Sequence, residues 1–263
     1  MAMPEKWSDL AARLGSGAAM VVFGLWGVWV GGHIFHVMVA AICGLMIWEL
    51  AIMLRAGSGK AIQLGGITGA ATLVAIYLPI GFALPILLAA ALVGFGQLRQ
   101  FRTIYMMFSV MVLLAGYGMM SVRDDLGFHW MLWLVLVVVV TDVVGYFAGR
   151  MIGGPKFWPR VSPKKTWSGT GFGWVGAALV GAVFMANTGA GAQLIGISVA
   201  VSMASQMGDI AESAIKRRVG VKDSSNLIPG HGGLLDRFDG MLGAAVFILI
   251  IGGPLMGAPV VSG

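Results

Sequence analysis

The sequence predicts an all-α integral membrane protein of about nine transmembrane helices, with the amino end in the cytoplasm and the carboxyl end outside. Three observations carry this. Hydrophobic residues make up 58% of the 263-residue chain and charged residues only 11%, against about 25% charged in soluble domains; mean hydropathy is +0.90. The apolar residues fall in runs near the roughly 20 residues that a helix needs to cross a hydrocarbon core about 30 Å thick. The basic residues sort to one side of those runs. Runs of this length, without polar–apolar alternation, exclude a transmembrane β-barrel.

Taken in order, Trp7, Leu10, Ala11 and Leu14 recur at i, i+3, i+4 and i+7. That spacing suits a short interfacial helix or, equally, a frayed end. No short apolar core followed by a small-residue cleavage site is present, so a cleaved signal is not expected. Spans are predicted at about 16–32, 34–54, 61–79, 80–97, 104–121, 128–149, 171–188, 191–210 and 241–261. Pro79-Ile80-Gly81 marks the turn between the third and fourth, and Pro85 a kink beyond it. With the amino end inside, sixteen of the 17 Lys and Arg residues face the cytoplasm and only Arg123 faces out. Adding or removing one helix before residue 100 scatters them over both sides.

Residues 1–130 thus hold about five helices behind the interfacial segment. Residues 131–263 form a second, C-terminal transmembrane region with polar cytoplasmic loops at 150–170 and 216–240. The 41 glycines, spread through the helices, read as sites of close helix packing. Gly169-Thr170-Gly171-Phe172-Gly173 is expected to lack the preceding strand that a dinucleotide fingerprint needs. Cys43, the single cysteine, lies in an apolar run, which leaves no disulfide framework and no cysteine metal site. A pI near 9.8 reflects membrane topology here rather than nucleic-acid binding.

Ionisable residues within membrane helices are costly and need a reason. Asp142 follows the apolar run from Met131 to Val140 and precedes Tyr146 by one turn. Ser205, Asp209, Glu212, Ser213 and Lys216 share one helical face. For Glu212 a place in this polar wall and a self-contained salt bridge with Lys216 fit equally. Further on come Lys222, Asp223, Asn226, Pro229, Gly230, His231, Gly232, Gly233, Asp236, Arg237 and Asp239. If their turn is helical, Asp236 and Asp239 can face one point. With Asp209 they offer three hard oxygen donors, suited to Mg²⁺ rather than zinc.

Gly232 and Gly233 allow a backbone to approach phosphate and aim N–H groups at it. Lys216, Arg217, Arg218, Lys222 and Arg237 bring positive charge for a polyphosphate. The loop Ser162-Pro163-Lys164-Lys165-Thr166-Trp167 has the same character, although alone it reads as a positive-inside anchor. Carboxylates, a glycine turn and clustered bases at the inner face together imply a phosphate-bearing substrate.

The stretch Ser213-Ala214-Ile215-Lys216-Arg217, then Lys222-Asp223, then Leu227 through Asp239 with its Pro229-Gly230-His231-Gly232-Gly233 centre, resembles the signature of phosphatidate cytidylyltransferases, or CDP-diacylglycerol synthases. Gly208-Asp209-Ile210-Ala211-Glu212, the 162–167 loop and Asp142 with Tyr146 are similar to the family's other polar motifs. Ser168 stands where that family usually has an acid or amide. The resemblance covers about residues 141–243; the first 130 match only in general character.

The resemblance implies a nucleotidyltransferase of phospholipid biosynthesis in the bacterial cytoplasmic (inner) membrane, its active site facing the cytoplasm. CTP and phosphatidate give CDP-diacylglycerol and pyrophosphate, with Mg²⁺, a potassium ion as second cation, and a homodimer among membrane lipids. It places Asp209, Asp236 and Asp239 at the metal and adds Lys216 and His231 to the catalytic set. Ser162, Lys164, Lys165, Thr166, Ser213, Arg217, Lys222, Asp223, Gly232, Gly233, Arg237, Asp142 and Glu212 fall to substrate and phosphate binding. His231 is either a proton donor to pyrophosphate or a positioning hydrogen bond. The phosphatidate oxygen is already anionic, so alignment and charge neutralisation rather than a strong base should carry the reaction.

Two enzyme alternatives share these residues: a CTP-dependent polyprenol kinase, and CDP-activation of another lipid phosphate such as an isoprenoid ether lipid. A transporter would place acids near the bilayer midplane and show half-repeats; here the acids gather at the inner end and no repeat is visible.

Overall fold

The computed structural model describes the backbone of residues 5–228 and 230–255, and the side chains of 15–228 and 230–251. Among these residues the chain runs through α1 (Glu5–Val30), α2 (Gly32–Met53), α3 (Ser58–Ala75), α4 (Ile80–Gln97) and α5 (Arg102–Ser121), the last prolonged by a π-helical turn at Val122–Leu126. Then follow α6 (Phe128–Met151), strands β1 (Lys156–Trp158) and β2 (Ser162–Thr166), α7 (Trp167–Thr188), α8 (Gln193–Val219) and α9 (Leu235–Leu255). Among the described residues six helical segments are long and apolar enough to cross a membrane: α2, α4, α5 with its π-turn, α6, α7 and α8. The protein is a multi-pass α-helical membrane protein. Its α1 is continuous from Glu5; the side chains of Trp7, Leu10, Ala11 and Leu14 lie outside the described residues, as does Pro229.

The two strands qualify the wholly helical expectation. They pair antiparallel, Lys156 opposite Thr166 and Trp158 opposite Ser162. Gly153 and Gly154, at φ 68° and 102°, take left-handed conformations that suit glycine and turn the chain out of α6. Phe157 packs on Trp167 with ring centroids 4.6 Å apart, and Trp167 N–H donates to Pro155 O at 3.0 Å. A strand therefore does precede Gly169–Gly173, correcting the sequence expectation. It belongs to a two-stranded hairpin and not to the parallel sheet of a dinucleotide fold.

The chain forms two compact units, one of Met1–Met120 with Arg218–Phe238, the other of Ser121–Arg217 with Asp239–Gly263. In the first, α2 and α3 meet backbone to backbone. A Cβ on Gly44 would fall 2.8 Å from Gly65 O, and one on Gly65 would fall 2.7 Å from Gly44 O. Cys43 is buried and free beside them.

In the second unit two glycine seams do the corresponding job. Gly145 of α6 faces Gly169 of α7 so closely that a Cβ on Gly169 would lie 2.5 Å from Gly145 O. Where α8 crosses α9, a Cβ on Gly208 would collide with Asp239 O and one on Gly243 with Ala204 O. Buried polar pairs join the helices: Trp133 Nε1 donates to Ser198 Oγ at 3.0 Å, Thr141 Oγ1 to Ser202 Oγ at 2.8 Å, and Trp174 Nε1 to Gln206 Oε1 at 2.9 Å. Small residues and interhelical hydrogen bonds are the available glue where lipid is as apolar as leucine.

Candidate functional site

A cleft of about 630 Å³ opens in the second unit, walled by α6, the hairpin, α7 and α8. That volume is in the range of small-molecule sites, roughly 300–1,000 Å³. Asp142, Tyr146 and Arg150 line it from α6 at successive turns, as i+4 spacing dictates. Arg150 Nη1 donates to Tyr146 OH at 3.1 Å. Lys156 comes from β1, and Lys164, Lys165 and Thr166 from β2. Thr166 is also the N-cap of α7, extended at φ −118°, its Oγ1 accepting from Gly169 N–H. This satisfies one of the orphan donors of the first turn and fixes how the lysine strand enters the helix.

Asp209 reaches the cleft from α8, its Oδ2 ion-paired with Lys165 Nζ. Ser213 Oγ, one turn on, donates to Asp209 Oδ1 at 3.2 Å. Asp239, near the start of α9, accepts from Gly240 N–H at 2.7 Å and lies within electrostatic reach of Asp209, Asp142 and Lys165. The close α8–α9 crossing makes this neighbourhood. A Cβ on Gly240 would sit 2.7 Å from Ser205 Oγ and 3.8 Å from Asp142 Oδ2.

Four cations, Arg150, Lys156, Lys164 and Lys165, therefore share the cleft with the carboxylates of Asp142 and Asp209. Such a lining can take a polyphosphate together with a divalent ion. Among the described residues no three His, Cys, Asp or Glu side chains form a group able to hold a metal by themselves. Mg²⁺ does not require one: it is commonly held by one or two carboxylates, its shell completed by water and substrate phosphate. Asp209, with Asp142 beside it and Asp239 close by, has the hard-oxygen chemistry for that role.

The glycine-rich signature is organised in the first unit around a residue that sequence reasoning passed over. Glu49 of α2 is fully buried. Its Oε1 accepts from Ser225 Oγ at 2.5 Å and Leu234 N–H at 3.0 Å; its Oε2 accepts from Leu235 N–H at 2.8 Å, with Ser224 Oγ 3.4 Å away. Asp236 Oδ2 accepts from Gly233 N–H at 2.8 Å and from both N–H and Oγ of Ser224 at 2.9 Å. The Gly233 N–H, expected to face phosphate, thus points to Asp236. A Cβ on Gly233 would strike Ser224 Oγ and lie 2.5 Å from Glu49 Oε1. Gly232, at φ 81°, closes a bridge in which Ile228 N–H donates to Gly232 O at 2.8 Å. His231 Nδ1 shares a hydrogen bond with Ser16 Oγ at 2.9 Å, and His231 O accepts from Arg237 Nε at 2.9 Å.

Glu212 is buried and ion-paired with Lys216 at 2.5 Å. Arg217, Lys222 and Asp223 are exposed, and Ser162 is half-buried on β2. Besides Glu49, the residues missed from sequence are Arg150, Lys156 and Gln206, all in the cleft wall. For Glu49 the signal was a lone carboxylate within the apolar run 34–54, which membrane energetics should have flagged. Arg150 and Lys156 stood in the sequence as topology charges, and nothing distinguished Gln206.

Residues 11–253 match the sequence profile described as the Cytidylyltransferase family. The chain is 43% identical over 146 residues to the phosphatidate cytidylyltransferase of Brucella suis, a match covering 52% of this chain and 54% of that one. It is 43% identical over 120 residues to the phosphatidate cytidylyltransferase of Staphylococcus saprophyticus (44% and 46% covered) and 38% over 135 residues to that of Bacillus subtilis (49% of each). The chain spans about half the length of the curated relatives it matches.

Proposed function

The chain belongs to the cytidylyltransferase family, and from that premise we propose that it transfers the cytidylyl group of CTP to phosphatidate, giving CDP-diacylglycerol and pyrophosphate. The observation that carries the proposal is the cleft of the second unit, where Arg150, Lys156, Lys164 and Lys165 surround Asp142 and Asp209.

In this reading Lys164, Lys165, Arg150 and Lys156 hold the triphosphate and turn its α-phosphorus toward the lipid. A phosphatidate oxygen forms the new P–O bond, the bond to the bridging oxygen of the β-phosphate breaks, and pyrophosphate leaves with that electron pair. The attacking oxygen is anionic at neutral pH, so no side chain has to remove a proton. Alignment and fixed positive charge lower the barrier. Asp209 and Asp239, with Asp142 adjacent, would hold Mg²⁺, which when bound neutralises charge on the CTP phosphates. The metal role of Asp236, the phosphate roles of Lys216, Arg217, Lys222 and Arg237, the second cation K⁺ and the homodimer rest on the motif resemblance. So does the choice for His231, where the Ser16 contact favours positioning.

We also propose nine membrane crossings, amino end inside and carboxyl end outside, with the cleft facing the cytoplasm of a bacterial inner membrane. Support comes from the sixteen-to-one split of Lys and Arg under that threading.

Labelled CTP tests the reaction. With purified protein, phosphatidate and Mg²⁺, α-³²P should enter the lipid and γ-³²P should appear in pyrophosphate. Label from the γ position in the lipid would instead establish a kinase and overturn the proposal.

A further inference from the structure

We infer that Glu49 is a positioning residue for the reaction: a buried carboxylate of α2 that holds the glycine-rich signature segment in its working shape. The inference rests on the function proposed above and extends it to a helix outside the part of the chain that carries the motif resemblance.

The sequence of α2 around Glu49 is apolar, and the side chain is fully buried. A carboxylate in such surroundings persists only when its charge is met. Ser224 Oγ lies 3.4 Å away and gives its proton to Asp236. Three donors meet Glu49, all from residues 225–235: the Ser225 hydroxyl and the N–H groups of Leu234 and Leu235. The last two belong to the entry of α9, where unpaired N–H groups and the helix dipole favour negative charge. Glu49 therefore caps α9 from another helix, over a sequence separation of 185 residues for Leu234 and 186 for Leu235.

Two features show that the fit is to a carboxylate and not merely to a buried polar group. All three partners donate, and an ionised carboxylate is acceptor-only. A glutamine would keep one acceptor oxygen and turn an NH₂ group toward N–H donors. The space is also closed, because a Cβ on Gly233 would approach Oε1 to 2.5 Å and Cδ to 2.8 Å. Glu49 and Asp236 together take the N–H groups of Gly233, Leu234 and Leu235. The anion-binding capacity of this helix start is thus filled internally, and its N–H groups serve to hold the segment bearing His231 and Arg237.

The test uses the full-length protein in detergent, with Glu49→Gln as the main variant and Ser225→Ala as a milder one that removes a single donor. Steady-state kcat and KM for CTP are measured per folded molecule, alongside hydrogen exchange of the Leu234 and Leu235 amides. The expected result for Glu49→Gln is at least a tenfold loss of kcat with KM changed less than threefold. Exchange at the two leucines should quicken tenfold or more, while exchange within α6 and α7 stays as in wild type. Ser225→Ala should shift both readouts the same way by a smaller factor, which keeps the inference testable if Glu49→Gln does not fold. A kcat within twofold of wild type in folded Glu49→Gln overturns it, as does unchanged leucine exchange in either variant. Wild-type protein that fails to form CDP-lipid would sink the proposed function, and the exchange data would then decide the anchor alone.

Discussion

Lys165 on β2 and Asp209 on α8 are ion-paired inside the cleft. Under the proposed function each is held where a nucleotide complex needs it, the ammonium for phosphate and the carboxylate for a cation. An incoming phosphate–metal pair supplies both partners with a substitute at once, so opening the contact leaves neither charge unmatched. Removing one side alone does. Lys165→Met should raise KM for CTP at least tenfold in steady-state assays; an unchanged KM would take Lys165 out of the nucleotide site.

Asp209→Asn and Asp239→Asn should each abolish turnover while the protein stays monodisperse and folded in detergent. Both changes keep side-chain volume and remove only the charge. Losing a carboxylate that holds the ion should cost several kcal/mol of transition-state stabilisation. Retention of more than about a tenth of wild-type activity would falsify the metal assignment for that residue.

Metal dependence gives a separate check. EDTA should stop turnover and excess Mg²⁺ should restore it, whereas Zn²⁺ should not, because the donors are hard oxygens with no thiolate or imidazole among the cleft residues. Activity that survives chelation would remove the ion from the mechanism.

Gly233→Ala should destabilise the protein by about 1–3 kcal/mol, the usual cost of forcing extra volume into a closed site. The new methyl would meet Ser224 Oγ and the Glu49 carboxylate, neither of which can withdraw without breaking its own hydrogen bonds. Thermal unfolding in detergent reads this directly as a lowered midpoint. Gly232→Ala should also destabilise, for a different reason: its φ of 81° is one that L-residues rarely adopt.

Reporter fusions should place the amino end in the cytoplasm and the carboxyl end outside. Both ends on one side would refute the nine-crossing count and leave the cleft chemistry untouched.

Much of this architecture was legible in apolar runs alone, because burial in lipid writes itself into composition. The predicted span 171–188 became α7 starting at Trp167, since Thr166 supplies a cap that hydropathy does not register. The span 191–210 became a helix reaching Val219, because beyond Ile210 the helix is polar on one face instead of apolar throughout. The hairpin escaped notice for the opposite reason: its strands are three and five residues long and carry lysines that read as anchors. Asp209, Lys164 and Lys165, which line the cleft, could be singled out from residue type. Their pairing was not, since nothing local says which lysine meets which acid. Glu49 itself stood out as a lone acid in an apolar run; its polar neighbours were hidden by distance along the chain, 175 to 186 residues away.

The seam between α6 and α7 carries a further consequence. Gly145, Gly149 and Gly169, which let the two helices touch, also line the cleft. The wall of the cavity is therefore made partly of backbone that no side chain can shield. A synthetic inhibitor seated against that wall would face atoms the protein cannot alter by mutation without prising the helices apart. Resistance would have to arise at the side chains that complete the lining, such as Asp142, Tyr146 and Arg150 on α6, the hairpin lysines and Asp209, where substitution also touches groups proposed to hold the nucleotide.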